Sequence, residues 1–215
     1  KNFSYKYPNS KDYIFDNANF SLTKGEFVGV VGKSGSGKTT LIDILLGLLP
    51  IEKGKILLNV KKAEITFSEF VSSITYLPQD FFMIDDTVKS NIILDNNIDN
   101  EEKLFESLLS VNLIENKNDY DLFVNKEIGD KGIKLSGGQK HRVALARSIY
   151  HNRNILILDE LSSSLDTNTE EKIIQELTKL RNRLTIVFIT HSKKIMDICD
   201  RCYEIQDKKL LIKLK

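Results

Sequence analysis

Cysteine, proline, tryptophan and long apolar runs are all scarce in this 215-residue chain, and each shortage excludes something. The two cysteines, Cys199 and Cys202, form a single C-x-x-C. With no second pair there is neither a four-cysteine zinc site nor a disulfide framework. Both fall in the apolar pattern Ile195, Ile198, Cys199, Cys202, so they are expected to be reduced, buried hydrophobes. The longest apolar candidates, residues 27–31 and 44–51, are interrupted by Gly47 or stop at Pro50, far short of the roughly 20 residues a membrane helix needs. Charge of one sign is missing too: 31 Lys and Arg against 30 Asp and Glu leave a net +1, which gives neither a basic nucleic-acid footprint nor an acidic tail. There is no initiator Met and no signal peptide, and the abrupt opening at Lys1 suggests a domain cut from a longer polypeptide.

What is present is enough apolar sequence, 41% of residues, for a sizeable core in one large domain or two small ones. Apolar and polar residues alternate through Phe3, Tyr5 and Tyr7 and again over 18–22, with Pro8 and Asn9 as a turn, which predicts an antiparallel pair. The continuous β-branched run 27–31 passes through a glycine loop into the helical stretch 39–46. Further strands are expected at 54–58 and 74–77, and strands buried on both faces at 155–158 and 185–189, with helices between them and hence a parallel sheet. From Gln79 to Ile155 the periodicity is helical, clearest over 101–110 and 137–150, and 95–100 reads as a loop and N-cap.

Residues 32–39, Gly-Lys-Ser-Gly-Ser-Gly-Lys-Thr, fit G-x-x-x-x-G-K-[ST] between a strand and a helix. The backbone of Gly32, Lys33, Ser34, Gly35, Ser36 and Gly37 can wrap phosphate oxygens, Lys38 supplies a point charge for the β and γ phosphates, and the Thr39 hydroxyl can ligate Mg²⁺, with Thr40 next in line. The run 155–158 delivers two carboxylates at a strand's C-terminal end, where ligands bind in open α/β sheets. Asp159 suits Mg²⁺ and Glu160 the orientation or deprotonation of a water. Thr190-His191, after the strand at 185–189, and Gln79, after the strand at 74–77, repeat that position: the histidine could contact γ-phosphate and water, the amide Mg²⁺ and water. Residues 134–142, Lys-Leu-Ser-Gly-Gly-Gln-Lys-His-Arg, open another helix with a serine and two glycines, and its N-H groups suit a second anion.

In this order the motifs resemble the ATP-binding cassettes of ABC transporters across nearly the whole chain. An aromatic lies near the start, then the glycine loop, a Q-loop at 76–80, L-S-G-G-Q at 135–139, the Walker B pair Asp159 and Glu160, a D-loop at 164–166 and the switch His191. The resemblance implies an α/β fold: a RecA-like P-loop NTPase core with an N-terminal antiparallel β subdomain (1–79 and 155–215) and an inserted helical subdomain (80–154). It implies ATP and Mg²⁺ as ligands, with catalysis by Glu160, His191, Gln79 and Lys38, metal held by Thr39, Gln79 and Asp159, and an aromatic stacked on adenine. Spacing favours Tyr7 for that role, with Tyr5 open as the alternative. It also implies a head-to-tail dimer in which Ser136, Gly137, Gly138, Gln139 and Asp166 of one copy close over ATP on the other's loop.

Residues 127–132, Glu-Ile-Gly-Asp-Lys-Gly, resemble the E-x-G-[ED]-[RK]-G loop of exporter-type cassettes, which touches the membrane domains. The expected function is therefore ATP hydrolysis that powers an exporter from the cytoplasmic face of the cell membrane, with a second cassette and the transmembrane domains as partners and no nucleic acid. The alternative is a soluble cassette ATPase acting on nucleic acid or ribosomes, which usually carries two cassettes or a long coiled-coil insert. The wording around the P-loop and Tyr7 resembles bacterial flippases for lipid-linked oligosaccharides, while the transported substrate itself is not written in the chain. Leu161 and Ser163 stand where the family commonly has alanine, and His141 where glutamine is frequent, so no catalytic group is lost.

Overall fold

The computed structural model describes residues 1–57, 66–79, 82–95, 100–160 and 167–213. The chain divides into two compact units, one made of Lys1–Tyr76, Ile155–Glu160 and Arg181–Lys215, the other of Leu77–Asn154 and Leu161–Leu180. Residues 167–180, placed with the core when the sequence alone is read, group with the helices.

The first unit begins with a two-stranded antiparallel sheet, β1 (Phe3–Tyr5) and β2 (Phe15–Ala18), in which Phe3 pairs with Ala18 and Tyr5 with Phe15. The second strand thus ends where the sequence pattern places its start. The alternation over 18–22 comes from a different source: Ala18, Phe20 and Leu22 face the core, Phe20 on the Tyr203 ring at 5.0 Å, while Asn19 and Ser21 are exposed. Side chains anchored on a neighbouring strand mimic the period of a ladder. The turn after Tyr7 is present, with the Ser10 amide donating to the Tyr7 carbonyl.

A six-stranded sheet follows, built from β3 (Phe27–Val31), β4 (Ile74–Leu77), β5 (Ile155–Asp159), β6 (Thr185–Ile189), β7 (Arg201–Gln206) and β8 (Lys209–Lys213), in the order β4-β5-β6-β3-β7-β8. The β5–β6, β6–β3 and β3–β7 pairs are parallel. All five residues of β3 and of β6 are buried, as their unbroken aliphatic runs require of strands covered on both faces. Val28, Val30, Ile157, Val187 and Ile189 join Leu41 and Ile42 of helix α1 (Lys38–Leu45) in one core. Short helices α2 (Phe67–Ser72) and α8 (Lys193–Ile198) belong to the same unit.

The antiparallel hairpin β7–β8 is not legible in the sequence. Its two-residue turn, Asp207-Lys208, has φ of 48° and 63°, the left-handed pair that normally calls for glycine, and here no glycine announces it. The strand expected at 54–58 is corrected: residues 54–57 form no strand, Ile56 and Leu57 are exposed, and Lys53 makes one isolated bridge with Ser4, while Leu58 lies outside the described residues. Cys199 and Cys202 are buried, Cys199 with its thiol donating to the Ile195 carbonyl and Cys202 in register with Gly29 of β3.

The second unit contains α3 (Val88–Ile93), α4 (Glu101–Ser110), α5 (Lys117–Phe123), α6 (Gly137–Tyr150) and α7 (Thr167–Lys179). Helix α6 packs on α3 and α4, with Leu104, Leu108, Val143 and Ala144 fully buried. The expected N-cap is Asn100, whose side chain accepts from the Lys103 amide. Among the described residues no helix is long and apolar enough to cross a membrane.

Candidate functional site

Three neighbouring strands end level with one another. In register, Asp159 of β5 stands beside Ile189 of β6, and Ile189 beside Val30 of β3. The chain leaves β3 into the glycine loop, β5 into Glu160 and β6 into Thr190-His191. One sheet edge therefore gathers the phosphate loop, both carboxylates and the histidine, as parallel strands with their crossovers on the faces must do. The Glu160 amide donates to the Ile189 carbonyl at 2.9 Å and the Thr190 amide to the Val30 carbonyl at 3.3 Å, which pins the exits of the strands to each other.

Lys33, Ser34 and Gly35 of the loop are exposed, Ser36, Gly37 and Lys38 are half-buried, and Gly32 is buried. Gly37 precedes α1 at φ 109°, a conformation that a side chain would strain, and α1 has no side-chain cap at its N-terminus. Its first N-H groups are left for another acceptor, which is what an anion-binding helix start requires. The Lys38 ammonium donates to the carbonyls of Gly32 at 2.7 Å and Lys33 at 3.1 Å, so the cation lies across the loop. The Ser36 hydroxyl is buried without a hydrogen-bond partner. Thr39 is exposed and Thr40 buried. This loop fits a polyphosphate: a positive charge, uncapped amides and an unsatisfied hydroxyl converge on it.

Asp159 is half-buried, and the Tyr76 hydroxyl of β4 donates to its Oδ2 at 3.0 Å. Burial lifts the Asp159 carboxyl above the usual carboxylate range and Glu160 adds to the lift, while the Tyr76 hydrogen bond and the nearby Lys38 charge oppose it. Burial, together with the Asp159 charge, likewise pushes the Tyr76 hydroxyl well above its ordinary value. Glu160 has φ 50°, a left-handed conformation that a non-glycine residue adopts at a cost. Among the described residues no cluster of three His, Cys, Asp or Glu forms a ready-made metal cage. That donor set suits Mg²⁺ all the same, because this ion is usually held by one or two carboxylates plus substrate phosphates.

The two candidate aromatics differ. Tyr5 is 3% exposed and fixed in β1, whereas Tyr7 is 41% exposed, and its hydroxyl lies 3.0 Å from the Thr40 hydroxyl in the first turn of α1. Of the two, Tyr7 is the more accessible to a base. His191 is exposed one residue past the fully buried Thr190, whose hydroxyl accepts from the Ser192 amide. Gln79 is exposed two residues beyond β4 and falls in the second unit; Asp166 lies outside the described residues.

In the second unit Ser136 and Gly137 are exposed at the start of α6. Ser136 and Gln139 form a capping box: the Ser136 hydroxyl accepts from the Gln139 amide at 3.2 Å, and the Gln139 side-chain oxygen accepts from the Ser136 amide at 3.0 Å. The hydroxyl of Ser136 is held in place with its own proton left to donate. His141 tucks its Nδ1 against the Gly137 carbonyl at 2.9 Å, and burial lowers its pKa, with that carbonyl partly opposing. Tyr76, the first residue of the Q-loop motif, receives no role of its own from sequence reasoning; nothing in the motif says that its hydroxyl reaches Asp159.

The family description "ABC transporter" matches residues 15–163. An export ATP-binding/permease protein of Rickettsia typhi is 35% identical over 98% of this chain and 37% of its own length. The ATP-dependent lipid A-core flippase 2 of Colwellia psychrerythraea is 32% identical over 98% of this chain and 36% of its own. Among solved structures, a bacterial Atm1-family ABC exporter with ATP bound superposes with a TM-score of 0.79 at 27% identity, covering 97% of this chain and 36% of that one. The chain spans a little over a third of the length of these relatives. With its glycine loop and its carboxylate pair inside the matched span, the chain belongs to the ABC transporter family.

Proposed function

We propose that the chain binds and hydrolyses ATP at the edge formed by β3, β5 and β6, and that two copies, or this chain and a second cassette, close head to tail to drive an exporter. The convergence of the glycine loop, Asp159, Glu160 and His191 on three strand ends in register is the observation that carries this reading. Tyr7 stacks on adenine, an interaction that needs a ring face and not a base-specific hydrogen bond. Gly32, Lys33, Ser34, Gly35, Ser36, Gly37 and Thr40 hold the phosphates, and Lys38 holds the β and γ groups. Thr39, Asp159 and Gln79 would hold Mg²⁺, which when bound neutralises charge developing on the phosphate oxygens. Glu160 orients and deprotonates the attacking water, and His191 and Gln79 help position it.

Ser136, Gly137, Gly138, Gln139 and Asp166 act on ATP held by a partner. The capping box supports that assignment: it fixes the Ser136 hydroxyl without consuming its proton. Closing over ATP and reopening after hydrolysis would move transmembrane domains attached to the chain, on the cytoplasmic side of the membrane. The names of the relatives point to export, one of them to a lipid A core, and an amphipathic lipid is the substrate class this reading favours. Phosphate release by the purified chain with ATP and Mg²⁺ tests the reading; release no higher than that of Lys38→Ala overturns it.

A further inference from the structure

Tyr76 lies on β4, the strand next to β5 in the sheet, with its ring packed against the buried core of the first unit. Its hydroxyl donates to Asp159 Oδ2 at 3.0 Å. A carboxylate offers about four lone-pair directions and rotates freely at the end of a short side chain. Here one oxygen is tied to a phenol whose half-buried ring packs on the core, which restrains it. The torsion of the carboxylate is thereby set, one oxygen is spoken for, and the other is left for a ligand.

We propose that Tyr76 is a positioning residue for the metal ion of the nucleotide, acting through Asp159. This rests on the reading of Asp159 as a Mg²⁺ ligand. Residues that hydrogen-bond a metal-binding side chain orient it before the metal arrives, and their loss typically costs 10- to 100-fold in metal affinity. A phenol that merely satisfied a half-buried carboxylate would change the stability of the fold when removed and leave the metal dependence alone. The two roles therefore separate by measurement.

Binding of trinitrophenyl-ATP to the chain is followed while Mg²⁺ is titrated, and separately in EDTA, for wild type, Tyr76→Phe and Asp159→Asn. Tyr76→Phe removes one oxygen and keeps the ring, and its unfolding midpoint without nucleotide reports any loss of fold. The expected result is a Mg²⁺ half-saturation raised about tenfold or more in Tyr76→Phe, with nucleotide affinity in EDTA unchanged. If wild type responds to Mg²⁺ and Asp159→Asn does not, while Tyr76→Phe tracks wild type, the proposal for Tyr76 is overturned and the reading of Asp159 stands. If Asp159→Asn also keeps the wild-type Mg²⁺ response, the reading of Asp159 falls and the role of Tyr76 falls with it.

Discussion

Arg142 of α6 and Glu176 of α7 form a two-point ion pair, with Arg142 Nε donating to one carboxylate oxygen at 2.9 Å and an outer nitrogen to the other at 2.7 Å. Glu176 is among the few buried charged residues, and the fork geometry of a guanidinium matches a carboxylate bidentately. One turn earlier on α6, a Cβ added at Gly138 would come within 3.0 Å of the Thr169 methyl, in the first turn of α7. Helices α6 and α7 thus meet at two points, Gly138 on Thr169 in their first turns and Arg142 on Glu176 farther along.

Removing one partner of this pair leaves a buried charge without its counter-ion. Arg142→Met is expected to destabilise the chain by about 3 kcal/mol, toward the low end for a buried pair because the guanidinium retains some solvent contact. In a chain of this size that lowers the unfolding midpoint by roughly 6 to 12 °C. Replacing both residues, Arg142→Met with Glu176→Leu, should recover most of the loss. A midpoint unchanged in the single variant would show that the pair contributes nothing to stability.

Glu160 sits at the end of β5 in a left-handed conformation with its amide bonded to β6. In Glu160→Gln the backbone bond survives and the base is gone. ATP turnover should fall about 100-fold or more, as for loss of a general base, while nucleotide affinity stays within twofold of wild type. Turnover equal to wild type in a steady-state assay would remove Glu160 from that role.

Burial holds the His141 pKa below its ordinary value. Above about pH 6.5 the histidine is neutral in both the folded and the unfolded chain and adds no pH dependence. As the pH falls below that point the unfolded chain takes up the proton first, so stability is lost progressively toward the lower folded pKa. Between pH 7.5 and 5.5 the unfolding midpoint of wild type should therefore drop by more than that of His141→Gln. Parallel curves for the two proteins would mean that His141 is not held neutral by the fold.

Much of this was legible in the residues. Strands buried on both faces announce themselves as aliphatic runs, and β3, β5 and β6 fall where Phe27, Ile155 and Thr185 open such runs. Helices α4 and α6 end where their periodicity ends, at Ser110 and Tyr150. What escaped reading has physical causes. The β7–β8 turn uses Asp207 and Lys208 in conformations usually left to glycine or asparagine, and 18–22 alternates because Ala18, Phe20 and Leu22 face the core although the strand ends at Ala18. In the site, spacing favours Tyr7 over Tyr5 for the base, and the difference in their exposure, which spacing does not encode, favours the same residue. The bond from Tyr76 to Asp159 joins residues on separate strands, and no local pattern foretells it.

Head-to-tail closure over ATP is the central claim, and sedimentation velocity of Glu160→Gln tests it most directly. With ATP and Mg²⁺ the variant should sediment at twice the mass of the chain, and without nucleotide as a monomer. Adding Ser136→Arg should return it to a monomer that still binds ATP, because the arginine would stand where the partner's γ-phosphate is met. A monomer under ATP and Mg²⁺ at concentrations that saturate Glu160→Gln, or a dimer indifferent to Ser136→Arg, would contradict the claim.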